Sequence, residues 1–149
     1  MEISQATVDD IPQLCGLLAL LFEQEAEFRP AGDLQAAGLR GIIDHPELGR
    51  ILLLRDGPEI IGMVNLLFTV STALGGRVAI LEDMVVIPES RSRGAGSLLL
   101  NKAIAFARSQ GCLRITLLTD KENESAQRFY RGHGFHESAM LPMRLLLTP

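Results

Sequence analysis

After Pro88 the hydrophobic period of this 149-residue chain changes, and that change narrows the available folds more than any other feature. Before it, "RILLLRDGPEIIGMVNLLFTV" is two apolar runs around Asp56-Gly57-Pro58, the pattern of a β-hairpin, with Pro58 predicting a loop longer than two residues. "LGGRVAILEDMVVI" adds a further strand from near Arg77, with Gly75 and Gly76 in the preceding loop and Pro88 closing it. After Pro88, Gly94 to Gln110 places Asn101, Lys102, Arg108 and Ser109 on one helical face and leucines, Ile104 and Phe106 elsewhere. Gly111 stops that helix, "CLRITLLT" reads as a buried strand, Asn123 to His133 as a second helix and "MRLLL" as a closing strand. Strand, helix, strand, helix following an antiparallel meander implies a parallel pair inside a mixed sheet, hence an α/β fold.

The first part of the chain supplies helices for that sheet. "EISQA" opens as a short strand, and Thr7 before "VDDIPQL" is a hydroxyl N-cap followed by acids in the first turn. The helix it starts is expected over Val8 to Glu25, broken within "FRPAG" at Pro30; Asp33 then caps a second helix through "LQAAGLRGIID", ending before Pro46. The length suits one domain, 1–149, with a single core.

Composition excludes several classes. At 47% hydrophobic and 21% charged the chain has a globular balance, and no apolar run approaches the roughly 18 to 20 residues of a membrane span. "LCGLLALLF" is followed by Glu23, Glu25 and Glu27, an acidic run that reads as a solvated helix face or as an attractant for a cationic amine. The acidic opening "MEISQATVDD" is unlike a secretory leader and predicts a cytoplasmic location. Cys15 and Cys112 lack any metal-ligand spacing and read as small core residues. A net charge of -4 argues against nucleic acid as a partner, so any polyanion must be held locally.

Three stretches could carry chemistry. In "SRSRGAGSLLL" a glycine pair at a strand-to-helix junction can bring several backbone N–H groups to one anion, the helix dipole adding positive partial charge, while Arg91 and Arg93 supply forks that match phosphate oxygens. A plain tight turn with solvated arginines is the alternative. Nucleotide motifs do not fit, since "GAGSLL" puts Leu99 where a dinucleotide fingerprint needs its third glycine, and no GxxxxGK[ST] occurs. In "NESAQRFYRGHGF" Asn123 can cap a helix that Gly134 ends, and Tyr130, the single tyrosine, is either half-buried packing or a proton donor. In "LEDMVVIP" strand alternation sends Glu82 and Asp83 to opposite faces, so at least one points toward a helix layer or a cleft, where a carboxylate needs a partner or a task.

The order of these stretches is more specific than any one of them. A strand ending in "MVVIP", then R-x-x-G-x-G as Arg91, Gly94 and Gly96, a long helix, a strand, and N-x-x-A-x-x-F-Y-x-x-x-G-F as Asn123, Ala126, Phe129, Tyr130, Gly134 and Phe135 resembles the GNAT superfamily of acyl-coenzyme A dependent N-acetyltransferases. The motif resemblance covers Arg77 to Phe135. It implies a mostly antiparallel twisted sheet with a parallel pair splayed at the cofactor site and helices on both faces.

It also implies site residues. The pyrophosphate of acetyl-CoA would lie on the loop Arg91, Ser92, Arg93, Gly94, Ala95, Gly96 and Ser97, its pantetheine arm along the backbone of Met84, Val85 and Val86, with Asn123 and Tyr130 completing the cofactor contacts. Tyr130 resembles the family tyrosine that protonates the departing sulfur, and Glu82 the strand carboxylate that serves as base, with Asp83 its rival if the register differs by one. A base is needed because presenting an amine of pKa about 10.4 in neutral form at pH 7 costs about 4.6 kcal/mol. The backbone N–H near Met84 would polarise the thioester carbonyl. Ser90 and Ser92 stand where many relatives have an aromatic and a glycine, and Ala95 where isoleucine is common. The implied acceptor is a primary amine on a small molecule or a peptide, no metal is implied, and a homodimer is an expectation of the family. A non-catalytic acyl-CoA-binding or interaction module of the same fold is the alternative, against which the presence of Tyr130 and Glu82 speaks.

Overall fold

The computed structural model describes residues 1–24 and 31–148, as two compact units, Met1–Leu118 and a second from Thr119 onward. The first unit holds the sheet. β1 (Glu2–Gln5) leads through a 3-10 turn, Val8–Asp10, into α1 (Ile11–Gln24); α2 (Gly32–Ile43), β2 (Gly49–Asp56), β3 (Glu59–Ser71), β4 (Gly76–Val86), a second 3-10 turn (Pro88–Arg93), α3 (Ala95–Ser109) and β5 (Ile115–Leu117) follow. Strand order is β1-β2-β3-β4-β5, antiparallel except for the parallel pair β4 and β5, so the mixed sheet expected from the pattern after Pro88 is present.

Helices cover both faces. Ile11, Leu14, Leu17 and Leu18 recur at helical spacing on α1 and pack with Leu39 of α2 against Ile51, Leu53, Ile60, Met63 and Val85. On the other face α3 buries Leu99, Leu100, Ala103 and Ala107. Gly62 and Met63 show the division, since neighbouring strand residues point oppositely. Met63 joins the α1 cluster, whereas a Cβ added at Gly62 would stand 3.3 Å from Leu99 Cδ2 and 3.2 Å from Val85 O. Because both faces are covered, Ile51 to Leu54 are all buried, which is why β2 reads as an unbroken apolar run.

Several local expectations are corrected. The loop between β2 and β3 has two residues, Gly57 and Pro58, because Gly57 adopts φ 63 and Pro58 need donate no ladder bond, with Asp56 facing Glu59. The α2 N-cap is Ala31, which places Asp33 inside the first turn, where its charge meets the helix dipole. "CLRITLLT" yields a three-residue strand, not a buried one, with Ile115 and Leu117 half-buried and Thr116 exposed; its ladder extends only through Leu113 N–H to Arg77 O and Ala79 N–H to Arg114 O, each 2.9 Å. Residues 143–147 form no strand within the second unit, where, among the described residues, no strand is available as a ladder partner. The expected end of the first helix at Glu25, the break at Pro30 and the acid Glu27 lie outside the described residues.

Asp10 fastens the first helix to the sheet. Its Oδ2 accepts from the Thr7 backbone N–H at 2.8 Å and from the Thr7 hydroxyl at 3.3 Å, and its Oδ1 accepts from Arg55 of β2. Burial pushes this carboxyl up, but the Thr7 N–H and the Arg55 guanidinium outweigh it and hold it below its ordinary 3.8. Asp10→Asn is expected to lower stability by about 1–3 kcal/mol at neutral pH, measured as a fall in urea midpoint. The carboxylate contributes fully above its ordinary value and loses its contribution as pH falls through the lowered one. The gap between the two proteins should therefore narrow in acid; a gap constant down to about pH 3 would refute the assignment.

Candidate active site

The parallel neighbour covers only part of β4. Ala79, Ile80 and Leu81 pair with Ile115, Thr116 and Leu117, after which β4 runs on to Val86 with no strand on that side among the described residues. No strand pairs with the outer edge of Glu82 to Val86, where Val86 O is taken by the Arg91 side chain and the rest of the edge is left for another partner, the situation of an edge strand inside a sheet.

On its other side β4 carries one extra residue. Met63 faces Val85 but Asn65 faces Glu82, so one residue of β3, Val64, stands against two of β4, Asp83 and Met84. The extra residue is a β-bulge, and Asp83 accommodates it with φ 54, a left-handed backbone that aspartate bears better than most residues. The bulge interrupts the alternation expected for Glu82 and Asp83. Glu82 is exposed, whereas Asp83 is drawn in and accepts a hydrogen bond from Asn65 Nδ2 at 2.6 Å. Burial first, then the neighbouring Glu82 charge, push the Asp83 carboxyl up from 3.8 to about 6, with the Asn65 bond pulling the other way.

The "SRSRGAGSLLL" stretch becomes a 3-10 turn running into α3. Gly94 sits at the hinge with φ 77 and ψ 10 as the N-cap of the helix, so the glycine is needed for its backbone, as nothing lies within 4 Å of an added Cβ. Leu98 N–H bonds Gly94 O at 3.0 Å, and the N–H groups of the turn before it, Ala95, Gly96 and Ser97, point along the helix axis away from intrahelical acceptors. Leu99 and Leu100 anchor that turn in the core. The arginines have structural bonds as well: Arg91 Nε donates to Val86 O at 3.0 Å, tying the turn to the end of β4, and Arg93 meets Asp56 at 3.3 Å in an exposed ion pair. Ser90 is buried, its N–H bonded to Ile87 O, which explains a small residue there. Ser92 is exposed.

In the second unit α4 (Glu124–Gly132) is capped by Asn123, whose Oδ1 accepts from Ala126 N–H at 3.0 Å. Gly134, at φ 97, ends it and returns Phe135 N–H to Tyr130 O at 3.1 Å. Tyr130 therefore stands edge-on between Phe129 and Phe135, ring centroids 5.4 and 5.8 Å away, which fixes its ring.

The first unit brings together the bulge, the uncovered edge from Glu82 to Val86 and the N-terminus of α3. The residue not foreseen is Asn65, an amide in the otherwise apolar "GMVNLLF"; a lone polar group in such a run is the signal that could have found it.

A profile of the Acetyltransferase (GNAT) family matches residues 13–135, through both units. The chain belongs to the GNAT family of acetyltransferases. It is 36% identical over 140 residues to an uncharacterised N-acetyltransferase, YhfO, of Bacillus subtilis, covering 92% of this chain and 91% of the relative. Identity is 30% over 137 residues to the aminoalkylphosphonate N-acetyltransferase of Salmonella typhimurium, covering 92% and 86%. The crystal structure of an integron cassette protein from the mobile metagenome of Cole Harbour Salt Marsh, 25% identical, superposes with a TM-score of 0.86 over 99% of this chain and 91% of the other. This GNAT protein is accordingly an acyltransferase, and none of its described helices is long and apolar enough to cross a membrane.

The left-handed Gly94 can be tested without any ligand. Gly94→Ala is expected to cost about 1–2 kcal/mol in urea unfolding, and Gly94→Asn distinctly less, because asparagine tolerates that backbone. Equal losses in the two variants would show that conformation is not what the position requires.

Proposed function

We propose that this GNAT protein transfers an acetyl group from acetyl-CoA to a primary amine. The observation that carries the reading is the pairing of the α3 N-terminus, opened by left-handed Gly94, with a bulged strand whose edge lacks a neighbour beyond Leu81. Both parts fit the cofactor. The N–H groups of Ala95, Gly96 and Ser97 form an anion site, since a helix N-terminus offers bare donors and a favourable dipole. Arg91, Ser92 and Arg93 border it, and the Nε bond to Val86 leaves the Arg91 fork usable. The backbone edge of Met84, Val85 and Val86 suits an amide-bearing chain such as pantetheine. Bound there, acetyl-CoA supplies its acetyl group activated as a thioester.

The chain's own groups provide the rest. A backbone N–H at the bulge, near Met84, is a fixed donor for a developing oxyanion, its direction set by the interrupted ladder. Tyr130, held between two phenylalanines, donates a proton to the leaving sulfur; Asn123 keeps its Nδ2 group for the cofactor while its Oδ1 caps α4. A carboxylate at the bulge, Glu82 by family resemblance, relieves the amine of its proton. The relative acting on aminoalkylphosphonates makes a small amine bearing an anionic group the first acceptor to try, ahead of peptide amines.

Tyr130→Phe is expected to lower kcat by about 10- to 100-fold with little change in CoA affinity, the scale of a lost general acid. Thiol release across a panel of primary amines, with CoA binding followed by calorimetry, checks it. An unaltered kcat would remove Tyr130 from the reaction, and firm CoA binding with no thiol release from any amine would refute the proposed transfer.

A further inference from the structure

The bulge holds two carboxyls, and they are not equivalent. Glu82 is exposed at the sheet edge, whereas Asp83 is drawn in and bonded at 2.6 Å to Asn65, itself only 2% exposed. The Asn65 amide is half used: Nδ2 donates to Asp83, while Oδ1 is buried with no hydrogen-bond partner among the described residues. A buried amide oxygen without a donor is costly and calls for a reason.

We infer that Asn65 and Asp83 form the proton-holding pair of the site, Asp83 accepting the proton that the amine must lose and Asn65 positioning its carboxyl in both protonation states. The inference rests on the acetyl-transfer reading and replaces Glu82 as the proton acceptor. As a carboxylate, Asp83 accepts from Asn65 Nδ2, as observed. As a carboxylic acid it needs an acceptor for its new O–H, and Asn65 Oδ1 is such an acceptor once the amide turns over about its terminal bond. Asparagine serves both states; leucine would serve neither.

The proton step balances within the pair and the acceptor. An ammonium N–H bond breaks, its electron pair stays on nitrogen for attack on the acyl carbon, and the proton forms an O–H bond on Asp83, from which it later passes to solvent. Groups acting on Asp83 within the first unit are Glu82 on its own strand, which opposes ionisation, and Asn65 on β3, which favours it. Burial, the largest influence, and these two groups together keep the carboxyl near 6, closer to an amine at about 10.4 than an ordinary carboxylate and still ionised at neutral pH. Glu82 thus acts on Asp83 through its charge.

The test is a carbon-13 titration of the Asp83 carboxyl in the intact chain, run beside the pH profile of kcat/KM. In the wild type the carboxyl should titrate near 6, and the acid limb of the profile should share its midpoint. Asn65→Leu should move both upward and Glu82→Gln both downward, with Asp83→Asn abolishing the limb. Asn65→Ser, which keeps a hydroxyl beside Asp83, should restore part of the Asn65→Leu shift and covers the case in which leucine fails to fold. Wild-type titration at an ordinary aspartate value, or a limb that ignores Asn65 and Glu82 substitutions while transfer proceeds, would overturn the inference. Titration as expected with no amine acetylated would overturn the acetyl-transfer reading itself, and the catalytic role of the pair with it.

Discussion

The ladder between β3 and β4 is the constraint on which the rest of the first unit depends. These two strands lie inside the sheet, carry helices on both faces and must stay in register for Met63 and Val85 to meet α1 while Gly62 lets α3 approach. Within that ladder there is a single-residue mismatch, at Asp83. A mismatch there could be absorbed by slippage, but slippage by one residue would reverse the faces of every side chain beyond it. The buried leucines, valines and methionine on each side forbid that. The irregularity is therefore locked in place by packing, and the locked irregularity turns backbone groups and one carboxyl away from their regular directions.

Much of this was legible in the sequence, for identifiable reasons. The switch of period after Pro88 gave the parallel pair, because a long helix between two strands leaves no other connection. Thr7, Asn123, Gly111 and Gly134 marked helix ends through capping chemistry that is local by nature. The Arg91, Gly94, Gly96 spacing placed the turn before α3 correctly. What periodicity could not reach were features set by partners distant in the chain. The length of β5 depends on how much of β4 it meets, and the two-residue hairpin at Gly57 and Pro58 depends on a left-handed glycine that composition does not reveal.

The carboxyl pair shows the same limit more sharply. Alternation treats Glu82 and Asp83 as equivalent neighbours on opposite faces, and resemblance favoured the first. The bulge that separates their environments exists only in the pairing with β3, where Asn65 looks from sequence like a stray polar residue in an apolar strand. Likewise, Arg91 and Arg93 read from the sequence as ligands for an anion, and in the structure they hold the turn, one to the end of β4 and the other to the hairpin tip.

The left-handed backbone of Asp83 has a consequence for how such a chain can change over generations. Among residues that bear that conformation readily, glycine brings no side chain and asparagine brings one that does not titrate. Lengthening the acid to glutamate keeps the charge but not the tolerance for the backbone. A chain that retains both the bulge and an ionisable carboxyl at this point has aspartate as its one acidic choice, so the position is fixed twice over, once by conformation and once by charge.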